Sequence, residues 1–259
     1  MNRIKPLSVM LVCAAAGGAS ASVTDIGSFI DNARLFNDRP DSNLLYSSTF
    51  HPSMGSISLV ENNYGAGGFA NRHATWFADD SGANKVDFDF GDGWDIKMNM
   101  QINDASGVDN VEAGFQFDLF GFGLFGALTS SGEIAAFGSV LPFFSFGAGV
   151  YNVGDEVVLR MVHRPGDAEF GSTPSTMEYM YNNLTTGSGW VSSGEVAFTN
   201  LEGGIPSSFD MFLGAGAQIN NPDPALGSVD IQFSQIMVPS PGTFGVLGMG
   251  GLLAARRRR

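Results

Sequence analysis

The chain is short of cysteine, of positive charge and of histidine, and each shortage removes a class of chemistry. Its one cysteine is Cys13, inside an N-terminal segment expected to be removed. The rest can then form no disulfide and no zinc–thiolate site, and it holds no cysteine nucleophile. Of 13 basic residues, six sit at the two ends: Arg3, Lys5, Arg256, Arg257, Arg258 and Arg259. Seven therefore face all 26 acidic residues in between. That body of about −19 repels phosphate backbones and excludes nucleic acid as an expected partner.

The three histidines, His51, His73 and His163, show no metal-ligand spacing. His163 falls on the apolar phase of its segment, where a hydrogen-bonded core histidine is expected; His73, between Arg72 and Trp76, fits either a core or a ligand role. Nucleophile elbow, phosphate-binding loop and His-Glu-x-x-His motifs are all missing, so no catalytic residue is assigned and an enzyme is not expected. What is present is apolar matter: 44% of 259 residues are hydrophobic and 15% charged, enough for a sizeable core and unlike a disordered chain.

The ends carry targeting patterns. Arg3 and Lys5 precede an apolar run over residues 7–16, and Ala19 and Ala21 supply small residues for a signal peptidase, with cleavage expected before Ser22. Residues 1–21 are thus expected to be a signal peptide. At the other end Pro239, Pro241 and Gly242 precede twelve apolar or small residues and the four arginines. As a helix those twelve residues reach about 18 Å, short of the roughly 30 Å hydrocarbon core, which suits transient membrane contact better than permanent anchoring. The arginines favour the cytoplasmic face.

This layout over residues 238–259 resembles the PEP-CTERM sorting signal, read by exosortase-type processing enzymes. It departs at Ser240, where the family has glutamate. The resemblance implies export to the cell surface or extracellular matrix of a Gram-negative-type bacterium, and says nothing about activity.

Between the ends, residues 22–237 read as one β domain. Trp94, Ile96, Met98, Met100 and Ile102 alternate with Asp95, Lys97, Asn99 and Gln101, one face apolar and one wet. Val86, Phe88 and Phe90 alternate before them, and Gly91-Asp92-Gly93 predicts a hairpin joining the two runs. A second hairpin is expected at residues 129–132, and a short helix near residues 29–35. Closely spaced strands without intervening helices predict an all-β fold, an antiparallel two-sheet sandwich. No linker or fixed repeat divides it.

The order of segments from Glu112-Ala113-Gly114-Phe115, through Tyr151-Asn152-Val153-Gly154-Asp155 and Met211-Phe212-Leu213, to Val229-Asp230-Ile231 resembles the later half of a concanavalin A-like lectin and glucanase jelly roll. Glucanases of that fold carry two glutamates on one strand, about 5 Å apart in retaining enzymes. Glu112 has no such companion.

The candidate cofactor is calcium: Asp87, Asp89, Asp92 and Asp95 place four carboxylates within nine residues around Gly91 and Gly93. Their alternative reading is the wet face of a strand. Candidate sugar-binding rings are Trp76, Trp190, Tyr179 and Tyr181, each of which also suits a core role. The expected function is a non-enzymatic surface or matrix protein with exopolysaccharide as candidate ligand. The alternatives are a carbohydrate-active enzyme (glycoside hydrolase or lyase) on the same fold, and a structural or adhesive protein-binding module.

Overall fold

A computed structural model of the protein describes residues 26–52, 54–64, 68–88, 93–118, 121–138, 141–166, 174–198, 211–220 and 226–237. The signal positions Ala19, Ala21 and Ser22 lie outside these residues, as do the sorting positions Pro239, Pro241, Gly242 and Arg256, Arg257, Arg258 and Arg259.

Strands account for all the regular structure among the described residues. In chain order they begin β1 (Ser28–Asn37), β2 (Asn43–Thr49), β3 (Gly55–Tyr64), β4 (Ala70–Ala78), β5 (Trp94–Asp104), β6 (Asn110–Asp118) and β7 (Phe122–Leu128). They continue β8 (Glu133–Phe137), β9 (Phe144–Ser145), β10 (Glu156–Arg164), β11 (Thr176–Asn183), β12 (Val191–Ala197), β13 (Phe212–Asn220) and β14 (Gly227–Met237). The first sheet has the order β1-β4-β13-β6-β7-β8-β9, and the second the order β12-β11-β10-β5-β14-β3-β2. Every pairing is antiparallel. The architecture is an all-β, two-sheet jelly-roll sandwich: the two-sheet sandwich is what the alternation predicts, and the jelly roll is what the resemblance implies.

Each sheet closes on a late strand. β13 lies between β4 and β6, and β14 between β3 and β5. One core cluster joins the inward faces: Met98 and Met100 of β5, Leu159 of β10 and Ile231 of β14 share it with Phe115 of β6 and Leu213 of β13.

The two sheets differ on their outward faces. β5, β10 and β14 alternate buried with half-exposed residues, the pattern of a sheet with one wet side. In β4, β6, β7 and β13 residues of both phases are buried. Glycine and alanine occupy much of the outward phase there.

Two local expectations fail. The segment at residues 29–35 is not helical; it belongs to β1, which pairs with β4 from Ser28 opposite Ala78 to Asn37 opposite Asn71, with a register shift between Asn32 and Phe36. Long-range pairing overrides a weak local preference here. Nor does Gly91-Asp92-Gly93 join a hairpin. The Val86 and Phe88 amides donate to Phe77 and Met211 carbonyls at 3.0 and 2.7 Å, and Asp87 bridges Phe212 in the first sheet. β5 pairs with β10 and β14 in the second. Phe88 therefore belongs with the first sheet and Trp94 with the second, and their rings meet edge to face at 5.6 Å. Alternation reveals which face is buried and leaves the partner strand open. The β7–β8 hairpin stands as expected, with Leu128 opposite Glu133 and Gly132 at φ +64° in its turn.

Candidate functional site

Of the four candidate rings, three are buried. Trp76 is 1% exposed, Tyr179 0% and Tyr181 6%. Tyr179 and Tyr181 share the inward phase of β11 with Met177. The Tyr179 hydroxyl donates to the Pro142 carbonyl at 3.0 Å, and its ring lies 5.0 Å from Phe125. Tyr181 meets Phe146 edge to face at 4.9 Å. These tyrosines plug the core and offer no ring to a sugar. Trp190 is 50% exposed, beside the turn joining β11 to β12.

The aspartate cluster does not assemble from its described members. Asp87 belongs with the first sheet and its Oδ1 accepts the Met211 amide at 2.9 Å. Asp95, on the second sheet, accepts the Arg160 Nε at 2.8 Å and pairs with the same guanidinium a second time. Asp89 and Asp92 lie outside the described residues. Among the described residues no three His, Cys, Asp or Glu side chains converge as a metal site. Membership of different sheets is what separates Asp87 from Asp95.

The outward face of the first sheet brings together a different set. Strand register lays it out in rows. Arg72 on β4 lies opposite Gln218 on β13, which lies opposite Glu112 on β6. The next row is Ala74, Gly216, Gly114, Gly126 and Ala135, across β4, β13, β6, β7 and β8. Then come Trp76, Gly214 and Gln116. Glycine is required in the middle row by close approach of the strands. A Cβ on Gly216 would collide with the His73 carbonyl, and one on Gly114 with the Phe125 carbonyl.

Over this floor lie long polar side chains. The Arg72 Nε donates to Gln116 Oε1 at 3.0 Å, and its guanidinium sits 3.8 Å over the Phe122 ring on β7. The side chain therefore crosses β13 on its outward face, where Gly214 and Gly216 leave room. The Lys85 ammonium pairs with Asp118 at 2.9 Å and lies 4.3 Å over the Trp76 ring.

Satisfaction of these groups is incomplete. Gln116 is fully buried and its Nε2 has no hydrogen-bond partner; the Trp76 Nε1 in the same row has none either. Because Gln116 Oε1 accepts from Arg72, the amide orientation is fixed and the orphan is the N–H₂ end. Arg72 forms no ion pair among the described residues, and its two terminal amino groups make no hydrogen bond there. Burial lowers the guanidinium to about 10, against the opposing pull of the Asp118 charge; it stays charged at neutral pH. Burial also pushes the Glu112 carboxyl up, against hydrogen bonds from Asn110 and Asn220. Two buried, unpartnered donors, on Gln116 and Trp76, thus share one face with the half-exposed Arg72 guanidinium.

A second ionisable cluster lies between the sheets. Glu61 on β3 and His73 on β4 are both fully buried, with His73 Nε2 2.7 Å from Glu61 Oε2. The Arg34 backbone N–H donates to His73 Nδ1 at 3.0 Å, so the ring proton is on Nε2 and is donated to Glu61. Glu61 Oε1 also accepts from the Ser42 hydroxyl and from Asn71 Nδ2 at 2.7 Å, and pairs with the Arg34 guanidinium at 3.2 Å. Burial pushes this carboxyl up, yet hydrogen bonds from His73, Ser42 and Asn71 help bring it below its ordinary value. The cluster clasps β1 and β4 of one sheet to β3 of the other. Its carboxylate is saturated, which suits a structural role.

Sequence reasoning missed Arg72, Gln116 and Lys85, and left Trp76 between a sugar-binding ring and a buried one. One signal was available. In Ala70-Asn71-Arg72-His73-Ala74-Thr75-Trp76-Phe77-Ala78, Arg72 stands in phase with three alanines and a tryptophan. An arginine on an otherwise small and apolar phase marks either a partner across the sheet or a ligand.

No family model matches the chain, and no curated protein matches it significantly. Among solved structures it is similar to a family 7 alginate lyase, A1-II′, in complex with substrate, at 13% identity over 71% of this chain and 78% of that one, TM-score 0.44. Peanut lectin is similar at 10% identity, 82% of this chain and 98% of that one, TM-score 0.32. Lectin II from Ulex europaeus gives 11%, 83% and 100%, TM-score 0.33.

Proposed function

We propose that this is an exported, non-enzymatic surface or matrix protein that binds a polysaccharide on the outward face of its first sheet. One observation carries the binding site: the half-exposed Arg72 guanidinium, without an ion pair among the described residues, held beside the buried and unpartnered amide end of Gln116. A hydroxyl-rich chain supplies acceptors for such donors. Glu112 and Asp118 share this face of β6 but stand six residues apart, roughly 20 Å along a strand. Glycosidase carboxylate pairs stand about 5–9.5 Å apart, so these two do not form one. Export and sorting rest on the N-terminal and C-terminal patterns, with a signal peptidase and an exosortase-type enzyme as the processing partners.

The test is a glycan panel probed with the full chain and with a chain limited to residues 22–237, each with and without chelator. Selective binding is expected, unchanged by chelation, and weakened about tenfold or more by Arg72→Ala, the scale of one lost charge-assisted hydrogen bond. Trp190→Ala is expected to leave affinity within twofold. Loss of binding in Trp190→Ala alone would move the site to the β11–β12 turn. Release of reducing ends would replace binding with catalysis, and silence across the panel would sink the reading.

Processing has its own measurement. Protein recovered from culture should begin at Ser22 and lack the four terminal arginines by mass spectrometry. Intact ends on exported material would refute the sorting proposal.

A further inference from the structure

We infer that the first-sheet face selects a polysaccharide bearing carboxylates, a polyuronate, and that Arg72 and Gln116 together receive one carboxylate. This rests on the reading of that face as a glycan site and narrows its ligand class.

The argument starts from an imbalance. Arg72 is a half-buried cation without an ion-paired carboxylate among the described residues. Asp118, the nearest acidic influence on it, is already paired with Lys85. The hydrogen bond from Arg72 Nε to Gln116 Oε1 holds the guanidinium beside the amide. It leaves the buried Gln116 Nε2 without an acceptor, next to the terminal amino groups of a guanidinium that is half-exposed. A planar fork of donors next to an amide N–H matches a carboxylate, which only accepts and has two oxygens. A neutral sugar hydroxyl would satisfy one donor and bring no charge to offset the half-buried cation.

Phe122 fixes the guanidinium from its other side at 3.8 Å, so the fork is pre-organised and little entropy is lost on binding. The body's charge of about −19 opposes any polyanion at long range, a polyuronate as much as a phosphate backbone, so the proposal rests on contact chemistry within the roughly 8 Å that physiological salt leaves unscreened. At contact, Lys85 is offset by Asp118, and the Arg72 guanidinium, held by Gln116 and Phe122 rather than by Glu112 in its own row, is the cation left.

A sugar acid is favoured over an acidic peptide by what lies alongside. Gln218 is opposite Arg72, and Asn220 is opposite Asn110. Side-chain amides both donate and accept, as sugar hydroxyls do, whereas an acidic peptide side chain offers acceptors only.

The experiment is calorimetric titration of the full chain with oligomers of polygalacturonate, polymannuronate and polyglucuronate. Their methyl esters, a neutral glucan and polyglutamate complete the set. At least one uronate should bind, and its methyl ester should bind about 10–100-fold more weakly, the scale of a hydrogen bond to a charged group. Gln116→Glu would place a carboxylate against Arg72 and should lose uronate binding by a similar factor while melting no lower than the parent. Arg72→Lys keeps the charge and loses the fork, and should weaken binding at least tenfold. Equal binding of esterified, neutral and acidic chains would overturn carboxylate selection and leave the glycan reading intact. Silence of every glycan would overturn both. Tighter binding of polyglutamate than of any uronate would make the ligand an acidic peptide.

Discussion

Glu61→Ala should lower the unfolding free energy by about 3–5 kcal/mol, the range for breaking a buried ion pair by removing one partner. The reason is what it abandons. His73, Ser42 and Asn71 donate to this one carboxylate and the Arg34 guanidinium pairs with it; of the four, three are buried and only Arg34 keeps real contact with water, at 19% side-chain exposure. For a domain of this size the melting temperature should fall by roughly 6–20 °C, read by scanning calorimetry. A change below 1 kcal/mol would mean the cluster is not the clasp described.

The same group sets an acid limit. The folded carboxyl titrates below its ordinary value, so its contribution is whole above the unfolded value. It is lost as pH falls through the lower folded one. Stability of the parent should therefore decline with acidification more steeply than that of Glu61→Ala. Parallel curves would contradict this.

Gly216→Val should be of comparable size, about 3 kcal/mol or more, at the upper end for overpacking. The Cβ meets the His73 carbonyl, a backbone atom on the paired strand that cannot swing aside as a side chain would. β13 must part from β4, or the row from Ala74 to Ala135 must buckle. The branched side chain also enters the path of Arg72, so glycan binding should fail in whatever fraction still folds. Ser234→Val, on the wet face of β14, is the control and should shift stability by no more than about 0.5 kcal/mol. Equal losses in the two variants would remove any special role for the glycine row.

The sequence declared its sheets far better than its site, and the reason is physical. In β5 and β10 one face meets water, so the period of two is written in polar against apolar residues. In β4 and β13 both faces are buried, and glycine and alanine carry no such contrast. The site lies where the contrast vanishes. Trp76 stayed open between ligand and core roles, and it proved to be a buried ring on the outward face with the Lys85 ammonium over it. Asp87 and Asp95 looked like one cluster because they are eight residues apart, and they belong to opposite sheets. The Arg72–Gln116 contact spans 44 positions, and no local pattern encodes it.

The placement of β13 and β14 has a consequence for biogenesis. Both come from the last part of the chain, yet each is an inner strand of its sheet. Until residues 211–237 have been made, β4 and β6 have nothing between them, and neither do β3 and β5. Four strand edges stay unpaired, each a template for another chain. The sandwich cannot ripen from its N-terminus outward; it closes late and through long-range pairings, which makes folding slow. A nascent chain of this protein therefore depends on being held extended until its final strands arrive, and a chain stopped short of Phe212 would be a polymerising fragment, whatever its first two hundred residues can pair among themselves.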